Sequence, residues 1–404
     1  MTAALFALLL FSSVAGVGFA LLRRSRGMAC FRLEPESGDQ GGEAREQPAP
    51  APPPVAVIVP ARNEQEHLEE TLASLAALDY PSYRVIVLDD GSTDRTAGIA
   101  RGFCDRWDRF RCVAADNRPA GWSGKTWALE CGLRESDEPW VLFTDADVVH
   151  HPASLARAAD RARQTGADLV SVVPHFLCES FWERLIMPAF MLVVAYRFPP
   201  GRVRDPRSRI AAASGGFLLV RREALERAGG LSPVRGRVAE DIAIARLMKR
   251  SGARIELSFT RGLLATRMYS SFGEIAEGLG KHAREGMADS TSLLVLTVVA
   301  AWIITVLPFA VLVGLGVISP VLGLPPIQGP LPHSQGVACA IAAANYVGMK
   351  RLYEEWVDFL GVPYAYSWSY PLAALFYGLI ALRAAAERVL FGGPRWKGRR
   401  VEQG

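Results

Sequence analysis

Two aspartates one residue apart, Asp145 and Asp147, close the stretch Val141-Leu142-Phe143-Thr144-Asp145-Ala146-Asp147. Three apolar residues and a threonine read as a short buried strand, and the acids follow at its end. In an extended backbone residues i and i+2 point the same way, so both carboxylates can converge on one point. Two hard oxygen ligands with open positions suit Mg²⁺ or Mn²⁺, which keeps waters and takes phosphate oxygens for its other ligands. The alternative is a strand end followed by a turn with solvated acids.

The elements that must position these acids give them company. Val55-Ala56-Val57-Ile58-Val59-Pro60 is a continuous apolar strand, as a parallel sheet covered on both faces requires. Ala61-Arg62-Asn63-Glu64 leaves it, and Gln65 to Leu78 has helical periodicity at Leu68, Leu72 and Leu75. Tyr83 to Leu88 is the next strand, ended by Asp89-Asp90-Gly91-Ser92-Thr93-Asp94, and a helix follows from Arg95 to Trp107. Strand and helix alternating at this spacing predict βαβ units, a right-handed, mostly parallel sheet and an α/β fold. In such sheets ligands sit beyond the C-terminal strand ends, where the loops Pro60–Glu64, Asp89–Asp94 and Asp145–Asp147 would converge.

Further residues could serve the same crevice. Asp89 or Asp90 could accept hydrogen bonds from a nucleotide base or ribose, whereas Thr93 and Asp94 read as turn and capping residues. Pro60, Arg62, Asn63 and Glu64 either open the first helix or contact a donor. Gly121-Trp122-Ser123-Gly124-Lys125 lets a backbone approach phosphates, with the Lys125 charge at a helix start, although the spacing is not that of a Walker A loop. Gly215 and Gly216 suit close passage of a substrate, or simply sheet packing. Glu240 and Asp241 head a helix; side by side they should not both face the site, and Asp241 is the expected general base. His150 and His151 lie close enough to Asp147 to act as metal ligands, but a helix start at Pro152 explains them equally well. Lys281-His282-Ala283-Arg284 brings positive charge, either to neutralise a leaving diphosphate or as a juxtamembrane signature.

Composition restricts the setting. A net charge of +4 with 21% charged residues in 404 gives no indication of nucleic-acid binding. The six cysteines show no CxxC and no metal spacing, so reduced thiols in a cytosolic compartment are expected. Thr2 to Leu22 is uncharged and apolar and is followed by Arg23, Arg24 and Arg26, which predicts a membrane anchor with the following residues in the cytoplasm. Ser290 to Met349 contains no Asp, Glu, Lys or Arg. Leu293–Gly316, Gly336–Met349 and Pro371–Leu390 are candidate spans, but three crossings would put the basic tail Arg395–Arg400 outside. One of the three is therefore interfacial or re-entrant. The resulting layout is an anchor over 1–26, a disordered linker over 27–54, a catalytic domain over 55–289, a membrane region over 290–392 and a basic cytoplasmic tail over 393–404.

Taken in order, Val-Pro-Ala-Arg-Asn-Glu, Leu-Asp-Asp-Gly-Ser-Thr-Asp, Gly-Lys-Thr-Trp-Ala-Leu, Thr-Asp-Ala-Asp and Glu-Asp resemble the motifs of family 2 glycosyltransferases, which have the GT-A fold. The resemblance covers Val55 to Ser290. Gly121–Lys125, Cys178-Glu179-Ser180-Phe181, Asp205-Pro206-Arg207 and Trp396-Lys397-Gly398-Arg399 are similar to the hopene-associated members. The Trp-x-Gly-Lys loop is also similar to that of carotenoid and ceramide glycosyltransferases. The family implies an inverting transfer from a nucleotide-diphosphate sugar, a UDP-sugar first of all, with a divalent metal on the diphosphate. By position Asp145 and Asp147 would hold metal and donor together with Ala146. Glu64, Asp89, Asp90 and Lys125 would meet the nucleotide end, and Asp241 would be the base. Where processive polysaccharide synthases carry Gln-x-x-Arg-Trp, this chain has Lys281-His282-Ala283-Arg284-Glu285, which favours one sugar per acceptor. The expectation is a multi-pass inner-membrane enzyme, its catalytic domain cytoplasmic, that glycosylates a lipid hydroxyl without an obligatory protein partner. A processive synthase and a non-catalytic GT-A membrane scaffold are the other classes the residues allow.

Overall fold

A computed structural model describes residues 32–35, 51–287, 290–323, 325, 334–391, 395–396 and 399–400. The expected anchor at Thr2–Leu22 and most of the linker lie outside the described residues. The chain divides into two units, one built from residues 29–177 and 198–268, the other from residues 178–197 and 269–402.

The first unit is the α/β domain. Its strands are β1 (Val55–Ala61), β2 (Tyr83–Asp89), β3 (Phe110–Ala114), β4 (Trp140–Phe143), β5 (Val148–His150), β6 (Leu169–Val173), β7 (His175–Phe176), β8 (Leu218–Arg221), β9 (Ile255–Phe259) and β10 (Leu264–Thr266). Seven form one sheet in the order β3-β2-β1-β4-β8-β6-β9. All its pairings are parallel except the two made by β8, which runs against β4 and β6. The mostly parallel sheet expected from the sequence is therefore present, with one reversed strand. Val55 to Val59 of β1 are fully buried because both faces of the sheet are covered. Val55, Val57 and Val59 pack with Leu68, Leu72 and Leu75 of the helix Leu68–Ala76 and with Leu155 and Ala158 of the helix Ser154–Thr165. On the alternate positions Ile58 meets Gly132 of the helix Gly124–Arg134, where a Cβ would stand 2.5 Å from Ile58 Cγ2.

Register aligns the strand ends. Ala61 pairs with Asp89, the Asp90 N–H donates to Ala61 O at 3.0 Å, and Thr144 N–H donates to Ile58 O at 3.2 Å. Because β8 is reversed, its first residue Leu218 pairs with Phe143, the last of β4. The Ser214–Phe217 approach to β8 thus arrives beside the exit of β4. A smaller sheet, β5-β10-β7, takes up the chain where it leaves Asp147.

Two expectations need correction here. Cys104 and Cys112 form a disulfide between the helix Thr96–Arg106 and β3, so the cysteines are not all reduced; Cys131, Cys178 and Cys339 are not disulfide-bonded. Residues 32–35, placed in or beside the linker, lie against the sheet edge. Leu33 N–H donates to Phe259 O at 2.9 Å, and the Glu34 carboxylate accepts from the N–H groups of Arg261 and Gly262 at 3.1 Å each. Polar composition hides this docking, because backbone pairing needs no apolar side chain.

The second unit is helical, with helices Phe181–Arg197, Phe272–Met287, Thr291–Val313, Ser334–Phe359 and Tyr370–Phe391. Trp182 is its aromatic hub, with ring centroids 4.7 Å from Phe272 and 5.2 Å from Phe376. Leu294 and Val298 pack on the small residues Ala381, Ala384 and Ala385. Among the described residues two segments are long and apolar enough to cross a membrane. They are Thr291–Val321, of mean hydropathy 2.6, and Tyr364–Leu390, of mean hydropathy 1.3. The middle candidate, Gly336–Met349, is instead part of Ser334–Phe359, whose second half carries Lys350, Arg351, Glu354, Glu355 and Asp358. His282 and Arg284 fall on the helix Phe272–Met287 in this unit, not in the α/β domain.

Candidate active site

The crevice is assembled at the C-terminal edge of the large sheet. Strand β4 ends at Phe143, so Asp145 and Asp147 sit in the turn between β4 and β5 rather than on an extended strand. Their proximity comes from that turn, not from strand alternation. Thr144 fixes its entry, donating to Gly216 O at 2.8 Å and bonding His150 Nε2 at 3.0 Å. Ala146 fixes the middle from behind. It is buried in the core, and its carbonyl accepts from Thr71 Oγ1 at 2.9 Å, so its side chain does not reach the crevice.

Lys125 reaches the acids from the second residue of the helix Gly124–Arg134. Ser123 caps that helix, accepting from Thr126 N–H at 3.2 Å, and both Ser123 N–H and the Thr126 hydroxyl donate to Arg235 O. The Lys125 ammonium lies 2.5 Å from Asp145 Oδ1 and 2.5 Å from Glu240 Oε1. Burial pulls this ammonium down, but the Asp145, Glu240 and Asp241 carboxylates outweigh it and hold it well above the usual lysine range. Glu240 and Asp241 open the helix Glu240–Arg250 and line the same pocket as Pro60, Lys125, Asp145 and Gly215. The expectation that only one of the two acids could face the site is thus wrong. The longer Glu240 side chain turns to the lysine, while Asp241 is held by backbone donors. Gly215 N–H reaches its Oδ2 at 2.9 Å and Ile242 N–H its Oδ1 at 2.7 Å. Burial first, then the Glu240 charge, push the Asp241 carboxyl up to about 7, with Lys125 opposing.

The glycine pair divides its work. A Cβ on Gly215 would stand 3.0 Å from both Asp145 Oδ2 and Lys125 Nζ, whereas one on Gly216 would meet Pro174 Cγ at 2.7 Å. Gly215 faces the crevice and Gly216 is a packing residue.

The loops after β1 and β2 are pinned to one another. Asn63 sits in the left-handed region at φ 52°, its N–H donates to Ser92 Oγ at 3.0 Å and its Oδ1 accepts from Thr93 N–H at 2.9 Å. Glu64 N–H donates to Thr96 Oγ1 at 2.8 Å, and Asp94 accepts from the N–H groups of Gln65 and Thr96, as a turn residue should. Asp89 is likewise a turn residue, accepting from Ser92 N–H at 3.3 Å. Asp90 pairs with Arg62 at 3.2 Å and presses on Gly124, so of the two acids it is the one beside the Gly124–Lys125 helix start.

A divalent cation fits the turn. Burial, then the charges of Asp145 and Glu64, push the Asp147 carboxyl up to about 6, the signature of carboxylates crowded together without sufficient counter-charge. Among the described residues no group of three or more His, Cys, Asp or Glu forms a ready ligand cage. An ion on Asp145 and Asp147 would complete its shell with waters and phosphate oxygens, as Mg²⁺ and Mn²⁺ do. His150 is not available to it. The ring is buried, bonded to Thr144, and pushed down to about 3 by burial. His151 Nδ1 accepts from Ala153 N–H at 3.2 Å ahead of the helix Ser154–Thr165. Sequence reasoning missed the Lys125–Glu240 pair and the scaffolding role of Thr144, because neither contact has a local sequence signal.

Comparison with known proteins agrees with this geometry. Residues 56–229 match the family model described as Glycosyl transferase family 2. A 4,4′-diaponeurosporenoate glycosyltransferase of Staphylococcus haemolyticus (strain JCSC1435) is 27% identical over 255 residues, 62% of this chain and 66% of its own length. The protein of the same name from Staphylococcus aureus (strain MRSA252) is 24% identical over 351 residues, 85% of this chain and 87% of its own. Among solved structures, the mannosyltransferase PcManGT from Pyrobaculum calidifontis, in complex with GDP-Man and Mn²⁺, shares the fold. Its TM-score is 0.55 at 21% identity, covering 96% of this chain and 99% of that one. With the sheet order, the acidic turn and the family match in agreement, the α/β unit has a GT-A-like fold and, over residues 56–229, is similar to family 2 glycosyltransferases.

Proposed function

We propose that this enzyme moves a sugar from a nucleotide-diphosphate sugar to a lipid acceptor by a single inverting displacement assisted by a divalent metal. The observation that carries the reading is the meeting of Asp145, Lys125 and Asp241 in one pocket at the sheet's C-terminal edge. Asp145 and Asp147 are the residues that would hold Mg²⁺ or Mn²⁺, which supplies positive charge for the leaving diphosphate. Lys125, charged and anchored at a helix start, adds a second positive group aimed at developing negative charge. Asp241 accepts the acceptor's proton as the new glycosidic bond forms at the anomeric carbon. The bond to the diphosphate oxygen breaks at the same time, and the nucleoside diphosphate leaves with the electron pair. Backbone N–H groups on both Asp241 oxygens fix the carboxylate's orientation, and its raised pKa suits a proton acceptor near neutral pH. Asp90 and Arg62 are placed for the nucleotide end, where a UDP-sugar is the first donor to test.

A lipid acceptor is supported by the two apolar segments Thr291–Val321 and Tyr364–Leu390. Two crossings return the basic Arg395–Arg400 tail to the side from which residue 290 enters, in keeping with the positive-inside rule and a cytoplasmic catalytic unit at the inner membrane. The short motifs that resemble hopene-associated enzymes make a hopanoid hydroxyl the first acceptor. The diaponeurosporenoate named for the Staphylococcus relatives makes a carotenoid-type acid the second. The test is transfer of radiolabelled sugar by the full-length enzyme in lipid nanodiscs, offered hopanoid polyols or carotenoid acids. One labelled sugar per lipid supports the proposal and the acceptor labelled chooses between the readings. Long polymer, or no lipid-linked label with any donor, rejects it.

A further inference from the structure

Lys125 sits where a metal and the acceptor machinery meet. Its ammonium contacts Asp145 Oδ1 and Glu240 Oε1 at 2.5 Å each, and Glu240 is nearly fully buried with 6% of its surface exposed. The backbone carrying the lysine is tied down by the Ser123 and Thr126 bonds to Arg235 O, so the ammonium reaches both acids from a fixed base. Gly215 closes the other side, where a Cβ would stand 3.0 Å from both Asp145 Oδ2 and Lys125 Nζ. A divalent ion on the acidic turn would use the same Asp145 carboxylate that the ammonium holds. Two cations on one carboxylate repel each other.

We infer that Lys125 is a built-in competitor for the metal ion, so that metal binds well only together with a nucleoside diphosphate, which offers the ammonium a better partner. This rests on the metal–diphosphate reading above and adds an order to it. A diphosphate would draw Lys125 off Asp145 and leave that carboxylate free to hold the ion, whose charge would then favour the diphosphate. Metal and nucleotide are thereby coupled through one side chain, and coupling of this kind is reciprocal. Glu240 gains a function distinct from that of Asp241. It is a positioning residue that keeps the ammonium within reach of the diphosphate while Asp145 changes partner.

The test is Mn²⁺ affinity of the full-length chain in detergent, by titration calorimetry, with and without UDP or GDP as the probe. Wild type should bind Mn²⁺ weakly alone and at least about tenfold more tightly with the nucleotide it accepts, a coupling of about 1.4 kcal/mol. Lys125→Met should bind Mn²⁺ alone at least about tenfold more tightly than wild type and lose most of the gain from nucleotide. Lys125→Gln must likewise bind Mn²⁺ alone more tightly than wild type, and Lys125→Arg, which keeps the charge, should retain the wild-type requirement for nucleotide. Unchanged or weaker Mn²⁺ binding in both neutral variants, with nucleotide-dependent binding intact in wild type, overturns the inference and leaves the metal–diphosphate reading standing. Absence of any nucleotide-dependent Mn²⁺ binding in wild type overturns both.

Discussion

Gly215→Ala probes the crevice with a single methyl group. The residue is not in the left-handed region, so its lack of a side chain answers a demand for space rather than for backbone freedom. The added Cβ would lie 3.0 Å from Asp145 Oδ2 and 3.0 Å from Lys125 Nζ. Comfortable contact requires each group to retreat by roughly half an ångström, and both are ends of side chains that can do so, which keeps the folding cost at the low end of overpacking, about 1 kcal/mol. For a domain of this size that lowers the melting temperature by about 2–4 °C. Catalysis should suffer far more, because the displaced groups are the ones proposed to meet the metal and the diphosphate. A misplacement of about 1 Å can cost 10²-fold, so kcat/KM should fall by about 10- to 100-fold, or roughly 1.4–2.8 kcal/mol of transition-state stabilisation. Initial-rate assays beside a thermal melt decide the matter. Wild-type kcat/KM would refute the placement of Gly215 against the working groups. A fall in activity matched by a fall of more than about 10 °C in melting temperature would make the effect structural.

Asp241→Asn should lower transfer by about 10²–10⁴-fold while nucleotide binding persists; loss of nucleotide binding in a calorimetric titration would reassign the residue to the donor site. Burial and Glu240 disfavour the ionised form of Asp241 and raise its pKa to about 7. The active carboxylate is therefore depleted as pH falls through that value, and kcat/KM should drop tenfold per unit below about pH 7 and level off above it. A flat profile between pH 5 and pH 8 would contradict the assignment. Thr144→Val leaves Gly216 O and the buried His150 ring without their partner, which should destabilise the fold by about 1–3 kcal/mol, readable in a denaturant melt. Gly132→Ala drives a methyl into Ile58 between helix and sheet, away from the crevice; it should lower the melting temperature through about 1–3 kcal/mol of overpacking while leaving the KM for donor unchanged.

What could be read from the sequence was local. The apolar run of β1, the Asp-rich turn after β2 and the glycine-lysine helix start each announce themselves within a few residues, and parallel topology then places their loops at one edge. Asp145 and Asp147 converge through a turn rather than through strand alternation, since β4 ends at Phe143 before either acid is reached. The reversal of β8, which brings Gly215 to Asp145, depends on pairing between distant segments and has no local mark. The small sheet escaped notice because β5, β7 and β10 are two or three residues long, too short for any period to show. The rule that adjacent residues face apart sets Glu240 aside, and the structure breaks it. At a helix start a long side chain can fold back to a cation that a shorter neighbour does not need. Proximity to Asp147 in sequence leaves His150 open to a ligand or a helix-start role, and the structure turns its ring into the core to meet Thr144.

The most direct test of the account is nucleotide-sugar binding by the full-length chain, followed by thermal shift across a panel of UDP- and GDP-sugars with and without Mn²⁺. The account predicts stabilisation by one donor that requires the metal and disappears in Asp145→Asn/Asp147→Asn. Stabilisation that persists without metal, or in the double variant, would contradict the assignment of the acidic turn, and silence across the whole panel would contradict the transfer reaction itself.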